Sequence, residues 1–209
     1  MTRRLTLLTG IAGLLGALSM WAGDQLFAGG AGYPPWSNGH GSTSQLLLGV
    51  LLAVPGGVGL VLGVGHLKAR LAPAPGWARV SVTLSFLTLF VLAVVTHGVW
   101  GAFYMEVDEN ASVSDSNIFV FLLSPLEDLG KLIGVPAALG LLALNLFQRT
   151  TWPAWMIAFN PGVLYVLIGL ADDLIPGPVG LVLLHSTFNL SWVIFFLASL
   201  LAPSEELAQ

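Results

Sequence analysis

Apolar residues gather into six long runs, near residues 5–28, 44–66, 79–104, 124–147, 153–172 and 178–202, each bounded by polar or Pro/Gly breaks. Wound as an α-helix, about 20 such residues cross the hydrocarbon core of a bilayer, and such a run is too long for a core helix of a small soluble domain. The pattern predicts an all-α polytopic membrane bundle: six transmembrane helices in a single domain covering 1–209. The first run follows Arg3 and Arg4 and contains Ala17-Leu18-Ser19, which resembles a secretory cleavage signal. Its apolar stretch continues through Trp21 to Phe27, and it is read as an uncleaved span. Ile118 to Leu123 would stretch the fourth span to about 45 Å against a core of about 30 Å, so it is read as a short outer-interface helix.

Lys and Arg in short loops set orientation. Arg3, Arg4, Lys68, Arg70, Arg79 and Arg149 all fall on one side of this six-span plan, while the opposite loops, 29–43, 105–123 and 173–177, contain no Lys or Arg. The expected arrangement is a multi-pass protein of the plasma (inner) membrane with both termini cytoplasmic. Composition agrees: charged residues are 9% against about 25% in soluble domains. Hydrophobic residues make up 56% and the mean hydropathy is +0.86. The absence of cysteine excludes disulfides, thiol catalysis and thiolate metal sites. A net charge of -4 without a basic tract excludes a nucleic-acid partner. The bilayer is the one partner the composition requires.

Gly59 with Gly63, and Gly13 with Ala17, are small-xxx-small pairs expected at close helix crossings. Pro55, Pro136 and Pro161 fall inside spans, where each frees a carbonyl, so kinks turned toward protein or a cavity are expected.

Ionisable side chains inside spans are costly and mark candidate sites. Asp24, His97, Glu127, Asp128, Lys131 and His185 fall in one layer about 5 to 10 Å below the outer boundary at 1.5 Å per residue. In the inner half only Asn145, Asn160 and Asn189 interrupt the apolar runs deeply. Lys131 has Glu127 at i−4 and Asp128 at i−3, so two acids share one cation. The plain reading is a salt-bridge clamp; the chemical one is a surplus carboxylate acting as proton donor or carrier. His185 and Asn189 are also i,i+4, in a polar stripe running to Trp192, and His97 shares a face with Trp100, Gly101 and Tyr104. Such groups serve equally as interhelical hydrogen-bonding partners.

His97, His185, Glu127 and Asp24 are the residue types of a zinc or non-haem iron site, without a diagnostic spacing. Haem ligation by His97 and His185 rests on equal depth alone. No cofactor is required. His40, in a loop with Tyr33, Pro34, Pro35 and Trp36, fits an interface belt or a lid. His66, beside Lys68 and Arg70, is expected to touch headgroups, and Asp172-Asp173 to form a solvated turn or cation contact. Asn110-Ala111-Ser112 matches a glycosylation acceptor, a pattern frequent by chance.

Several stretches carry a resemblance: Gly23-Asp24, His97 before aromatics, Trp152-Pro153-Ala154-Trp155 with Asn160-Pro161, and Phe188-Asn189-Leu190 followed by Ile194-Phe195-Phe196. Together they resemble an uncharacterised family of multi-pass bacterial membrane proteins. That resemblance covers most of the chain, implies the architecture above and singles out Asp24, His97, Asn160 and Asn189, with no assigned reaction. A thinner similarity is to the emopamil-binding, sterol-isomerase-like membrane proteins, which implies His97, Glu127 and Asn189-Leu190-Ser191-Trp192 in a pocket within the bundle. Gly101 stands where that family places an acid four residues after the His, so its proton-shuttling pair is incomplete here.

The leading expectation is a polar pocket in the outer half of the bilayer that binds or transforms a lipid-like or small amphipathic molecule. Trp21, Trp36, Trp100 and Tyr104 would supply apolar walls, and Asn160, Asn189 and Trp192 further contacts. In an enzyme, Glu127 or Asp24 would be the acid/base, His97 or His185 its partner and Lys131 an electrostatic stabiliser. The alternatives are a small proton- or ion-coupled transporter, disfavoured by the missing internal repeat and inner relay, and a structural or assembly protein. Oligomeric state is open.

Overall fold

The computed structural model describes residues 2–30, 43–106, 124–175 and 178–203, and these form helices and connecting turns without strands. In order they are α1 (Arg3–Gly30), α2 (Thr43–Arg70), α3 (Gly76–Glu106), α4 (Ser124–Leu146), a 3-10 helix (Ala154–Phe159), α5 (Pro161–Leu174) and α6 (Pro178–Leu201). Helix makes up 88%. Among the described residues four helices are long and apolar enough to cross a membrane, namely α1 to α4, which marks a membrane protein by length and composition. The expected Ile118–Leu123 interface helix, His40 with its aromatic loop and Asn110 lie outside the described residues.

Five of the six expected runs coincide with α1, α2, α3, α4 and α6. The fifth does not form one helix. Its first part is the 3-10 helix, and α5 begins only at Pro161. Asn160 explains the break: its Oδ1 accepts from the Gly162 amide (2.9 Å) and more weakly from that of Val163 (3.4 Å), so it caps α5. Pro161 is therefore the first residue of α5, where its fixed φ is favourable and its missing N–H costs nothing. It does not kink a span. Pro55 and Pro136 do lie inside α2 and α4, yet both rings are exposed on the outward faces rather than turned to protein or a cavity. A proline ring is itself apolar, and these helices run uninterrupted through it.

Helices α1 and α2 touch backbone to backbone. A Cβ built on Gly16 would fall 2.5 Å from both the Gly56 oxygen and the Leu60 nitrogen; one on Gly59 would fall 2.7 Å from the Gly16 Cα; one on Gly63 would fall 2.8 Å from the Gly13 Cα. Gly59 and Gly63 of one expected pair and Gly13 of the other are at this crossing, with Gly16 and Gly56 beside them. Without a hydrophobic drive inside lipid, this close dispersion contact holds the two helices together. The Ser19 hydroxyl adds a bond to the Leu52 carbonyl at 2.7 Å.

Against this hairpin α6 brings a belt of aromatics. Trp192, Phe195 and Phe196 are all buried, and Trp192 meets Phe90 edge-on at 4.7 Å and Phe86 at 5.0 Å on α3. Edge-to-face packing of this kind is favoured by the ring quadrupoles. The belt separates two polar clusters, one toward the α1 C-terminal end and one at the α6 C-terminal end.

At the end of α4, Gln148 takes up a left-handed conformation (φ 52°). Its N–H reaches the Asn145 carbonyl at 3.0 Å and the Arg149 N–H reaches that of Leu144 at 2.7 Å. These are the two bonds of a Schellman termination with glutamine where glycine is usual. The turn sends the chain back beneath the bundle, where the Thr151 N–H donates to the Arg70 carbonyl at 2.8 Å.

Candidate functional site

Asp24 on α1, His97 on α3 and Asn189 on α6 meet inside the bundle. The His97 Nε2 lies 2.7 Å from the Asp24 Oδ1, and both side chains are about 15% exposed. The His97 Nδ1 lies 2.6 Å from the Ala93 carbonyl, one turn back on α3. A carbonyl only accepts, so Nδ1 carries a proton. One further proton therefore sits between Nε2 and Oδ1, whether the couple is imidazolium with carboxylate or imidazole with carboxylic acid. The Asn189 Nδ2 donates to the Asp24 Oδ2, so each carboxyl oxygen has a partner. Asn189, expected among the inner polar residues, thus belongs with Asp24: eleven residues into α6, it lies within side-chain reach of α1.

The triad lines a cavity of about 1150 Å³ between α3, α4, α5 and α6. Its walls are mostly apolar, including Phe86, Leu89, Leu142 and Trp192, with Asn160 at the α5 N-terminus. Glu127 and Lys131 also line it. A largely apolar cavity with a few convergent polar groups is the usual form of a small-molecule site.

The expected clamp is rearranged. Lys131 pairs with Asp128, at 3.3 Å, and both side chains are about 70% exposed. Glu127 is exposed too and turns to the cavity instead of sharing the cation. Helical spacing puts both acids within reach of Lys131; its rotamer closes on the i−3 acid, which leaves the i−4 acid on the cavity side. Because an exposed pair contributes little, Lys131→Ala is expected to change stability by less than about 0.5 kcal/mol. Thermal melting of the purified variant in detergent checks this, and a larger loss would mean Lys131 does bear on the fold.

Trp192 lines the cavity, whereas Trp21, half-buried on α1, is not among its walls. The side chains of Trp100, Tyr104, His185, Asp172 and Asp173 lie outside the described ones, as does Trp36 entirely. Among the described residues no three of His, Asp and Glu gather to hold a metal ion. Both ring nitrogens of His97 are engaged, by Ala93 and Asp24, which leaves neither for a haem iron in this arrangement.

A second polar cluster, at the other end of the bundle, was not legible in the sequence. His66, expected at the rim, is buried. Its Nδ1 lies 2.9 Å from the Thr6 carbonyl and its Nε2 2.6 Å from the Ser199 Oγ, which also accepts from the Trp152 Nε1 at 2.7 Å. The carbonyl fixes the proton on Nδ1, so the Ser199 hydroxyl donates to Nε2 while accepting from the indole. Nearby, the Arg70 guanidinium donates to the carbonyls of Ser199 (3.0 Å) and Ala202 (3.1 Å), closing the C-terminal end of α6. A serine on a histidine held by a carbonyl has the form of an activated nucleophile. Ser199 is, however, wholly buried and absent from the cavity walls, so no substrate reaches it; the cluster is a clamp. Headgroup contact by His66 is thereby overturned: its neighbours supply an acceptor and a donor, which makes burial affordable.

Comparison with protein families, with curated proteins and with solved structures gives no match. Any functional reading stands on this geometry alone.

Proposed function

We propose that the protein is a six-span membrane protein, both termini cytoplasmic, whose cavity binds or transforms a lipid-like or small amphipathic molecule with its polar end at Asp24 and His97. The supporting observation is the position of the Asp24–His97–Asn189 triad in the wall of a mostly apolar cavity of about 1150 Å³. Holding an acid and an imidazole together at membrane depth is costly, and such groups usually mark a site. A proton held between two groups of different basicity is also what acid–base chemistry on a bound molecule needs. In this reading Glu127 stands at the mouth and contributes a further acceptor.

Native mass spectrometry of the detergent-purified protein tests the proposal. Wild type is expected to carry a co-purifying small amphipathic molecule. Asp24→Asn and His97→Gln, each isosteric enough to keep the packing, are expected to reduce its occupancy at least tenfold while melting near the wild-type temperature. Undiminished occupancy in both variants, or an empty wild-type protein, would overturn it.

A further inference from the structure

The cavity has a side entrance. Helix α4 lies along α3 and α5 lies along α6, but α4 and α5 scarcely touch. Their contact is pinned where the Asn160 Nδ2 donates to the Ala138 carbonyl at 3.1 Å and Gly162 packs against the Ala138 side chain, a Cβ there falling 2.8 Å from that of Ala138. Val135 (58% exposed) and Leu139 (59%) of α4 and Tyr165 (49%) and Val166 (57%) of α5 all line the cavity. Residues that wall a cavity while half or more exposed mark its opening. This opening is flanked by α4, a helix apolar enough to span a bilayer, so it faces the lipid.

Its dimensions and charge narrow the occupant. Glu127 and Ala138 are eleven residues apart on α4, about 16 Å at 1.5 Å per residue, close to the hydrocarbon depth of one leaflet. The polar groups at the Glu127 end are two carboxyls, an imidazole and an amide, while the ammonium of Lys131 is engaged by Asp128. A phosphate or carboxylate head would meet like charge there. A hydroxyl finds acceptors.

We propose that the gap between α4 and α5 is a lateral entrance through which a flexible long-chain lipid with an uncharged, hydroxyl-bearing head enters from the bilayer, its head stopping at Glu127 and the Asp24–His97 couple and its chain extending toward Asn160. The inference rests on the pocket reading above and adds the route and the class of molecule.

The test uses two photoreactive probes in proteoliposomes at pH 8, a diazirine-bearing hexadecanol and the corresponding hexadecanoic acid, with labelled peptides mapped by mass spectrometry. The alcohol is expected to label the segments 124–146 and 161–174, competed by unlabelled hexadecanol, and the acid to label them at least tenfold less. Val135→Trp with Val166→Trp, which fill the gap from both sides, should cut the alcohol's labelling at least fivefold. Leu129→Trp, exposed on the opposite face of the same helix and outside the cavity walls, should leave it unchanged. If the double variant does not fold, either single variant carries the same expectation at reduced size. Undiminished labelling in a folded gap-filled variant overturns the lateral entrance and leaves the pocket reading standing. Equal labelling by alcohol and acid overturns the head-group assignment. Absence of competable labelling in wild type overturns both this inference and the reading beneath it.

Discussion

Gly16→Val is expected to abolish the folded bundle, or to cost more than about 3 kcal/mol where a folded fraction survives. Its Cβ would land 2.5 Å from two atoms of the α2 backbone, and backbone cannot rotate aside as a flexible side chain can. Relief requires α1 and α2 to separate along the whole line of glycines that lets them touch. Gly98→Ala is the matched control. A Cβ at Gly98 meets nothing within 4 Å, and alanine favours helix by up to about 1 kcal/mol, so this variant should melt at or slightly above the wild-type temperature. Size-exclusion profiles and thermal melts in detergent distinguish the two. A Gly16→Val protein that elutes and melts as wild type would show that the α1–α2 crossing does not hold the fold together.

Arg70→Met is expected to give the second large loss, about 2 to 4 kcal/mol. The substitution keeps an apolar stem of similar reach but strips the donor from two carbonyls, those of Ser199 and Ala202, at a buried helix end. A buried acceptor left unmade costs about 1 to 3 kcal/mol. The cation also sits where the partial negative charge of the α6 terminus is concentrated, an interaction lost with it. Both bonds leave one terminal guanidinium nitrogen, so Arg70→Lys, which keeps a multiple donor on a shorter stem, should recover part of the loss. Hydrogen exchange provides the local check: amides of residues 196–202 should exchange faster in Arg70→Met, with α1–α2 amides unaffected at equal global stability. Unchanged exchange there would mean that α6 is held by its aromatic belt alone.

Helix length and position were legible because apolar run length carries them. Runs ended by Pro, Gly or charge became α1 to α4 and α6 with ends shifted by a few residues. The fifth run failed for a local reason. Hydropathy cannot see that Asn160 supplies an N-cap or that Pro161 starts a helix more readily than it bends one, although the Asn-Pro pair was itself a visible start signal. Depth counting put Asp24 and His97 in one layer, and the structure brings these two together. The same counting placed Asn189 inward, since a residue near the middle of a span falls on either side according to small errors in the helix ends.

The clamp at the α6 C-terminal end was missed altogether because its members look unrelated in one dimension. A main-chain carbonyl at Thr6, a histidine, an indole and a serine lie up to 193 positions apart, and a carbonyl leaves no trace in residue type. The charge cluster on α4 shows the opposite failure. Spacing offered two acids to one lysine, and only side-chain rotamers decide that Asp128 takes it and Glu127 turns away.

The clamp also imposes an order on biogenesis. Thr6 and His66 belong to α1 and α2, and their bond can form as soon as these two helices pair. Trp152 and Ser199 come much later, with Ser199 in α6. A nascent chain that has made α2 but not α6 therefore carries His66 and Arg70 without the hydroxyl and carbonyls that receive them in the finished bundle. A buried polar group left without its partner costs about 1 to 3 kcal/mol. Docking of α6 supplies these partners together, so this end of the bundle closes in one step rather than helix by helix.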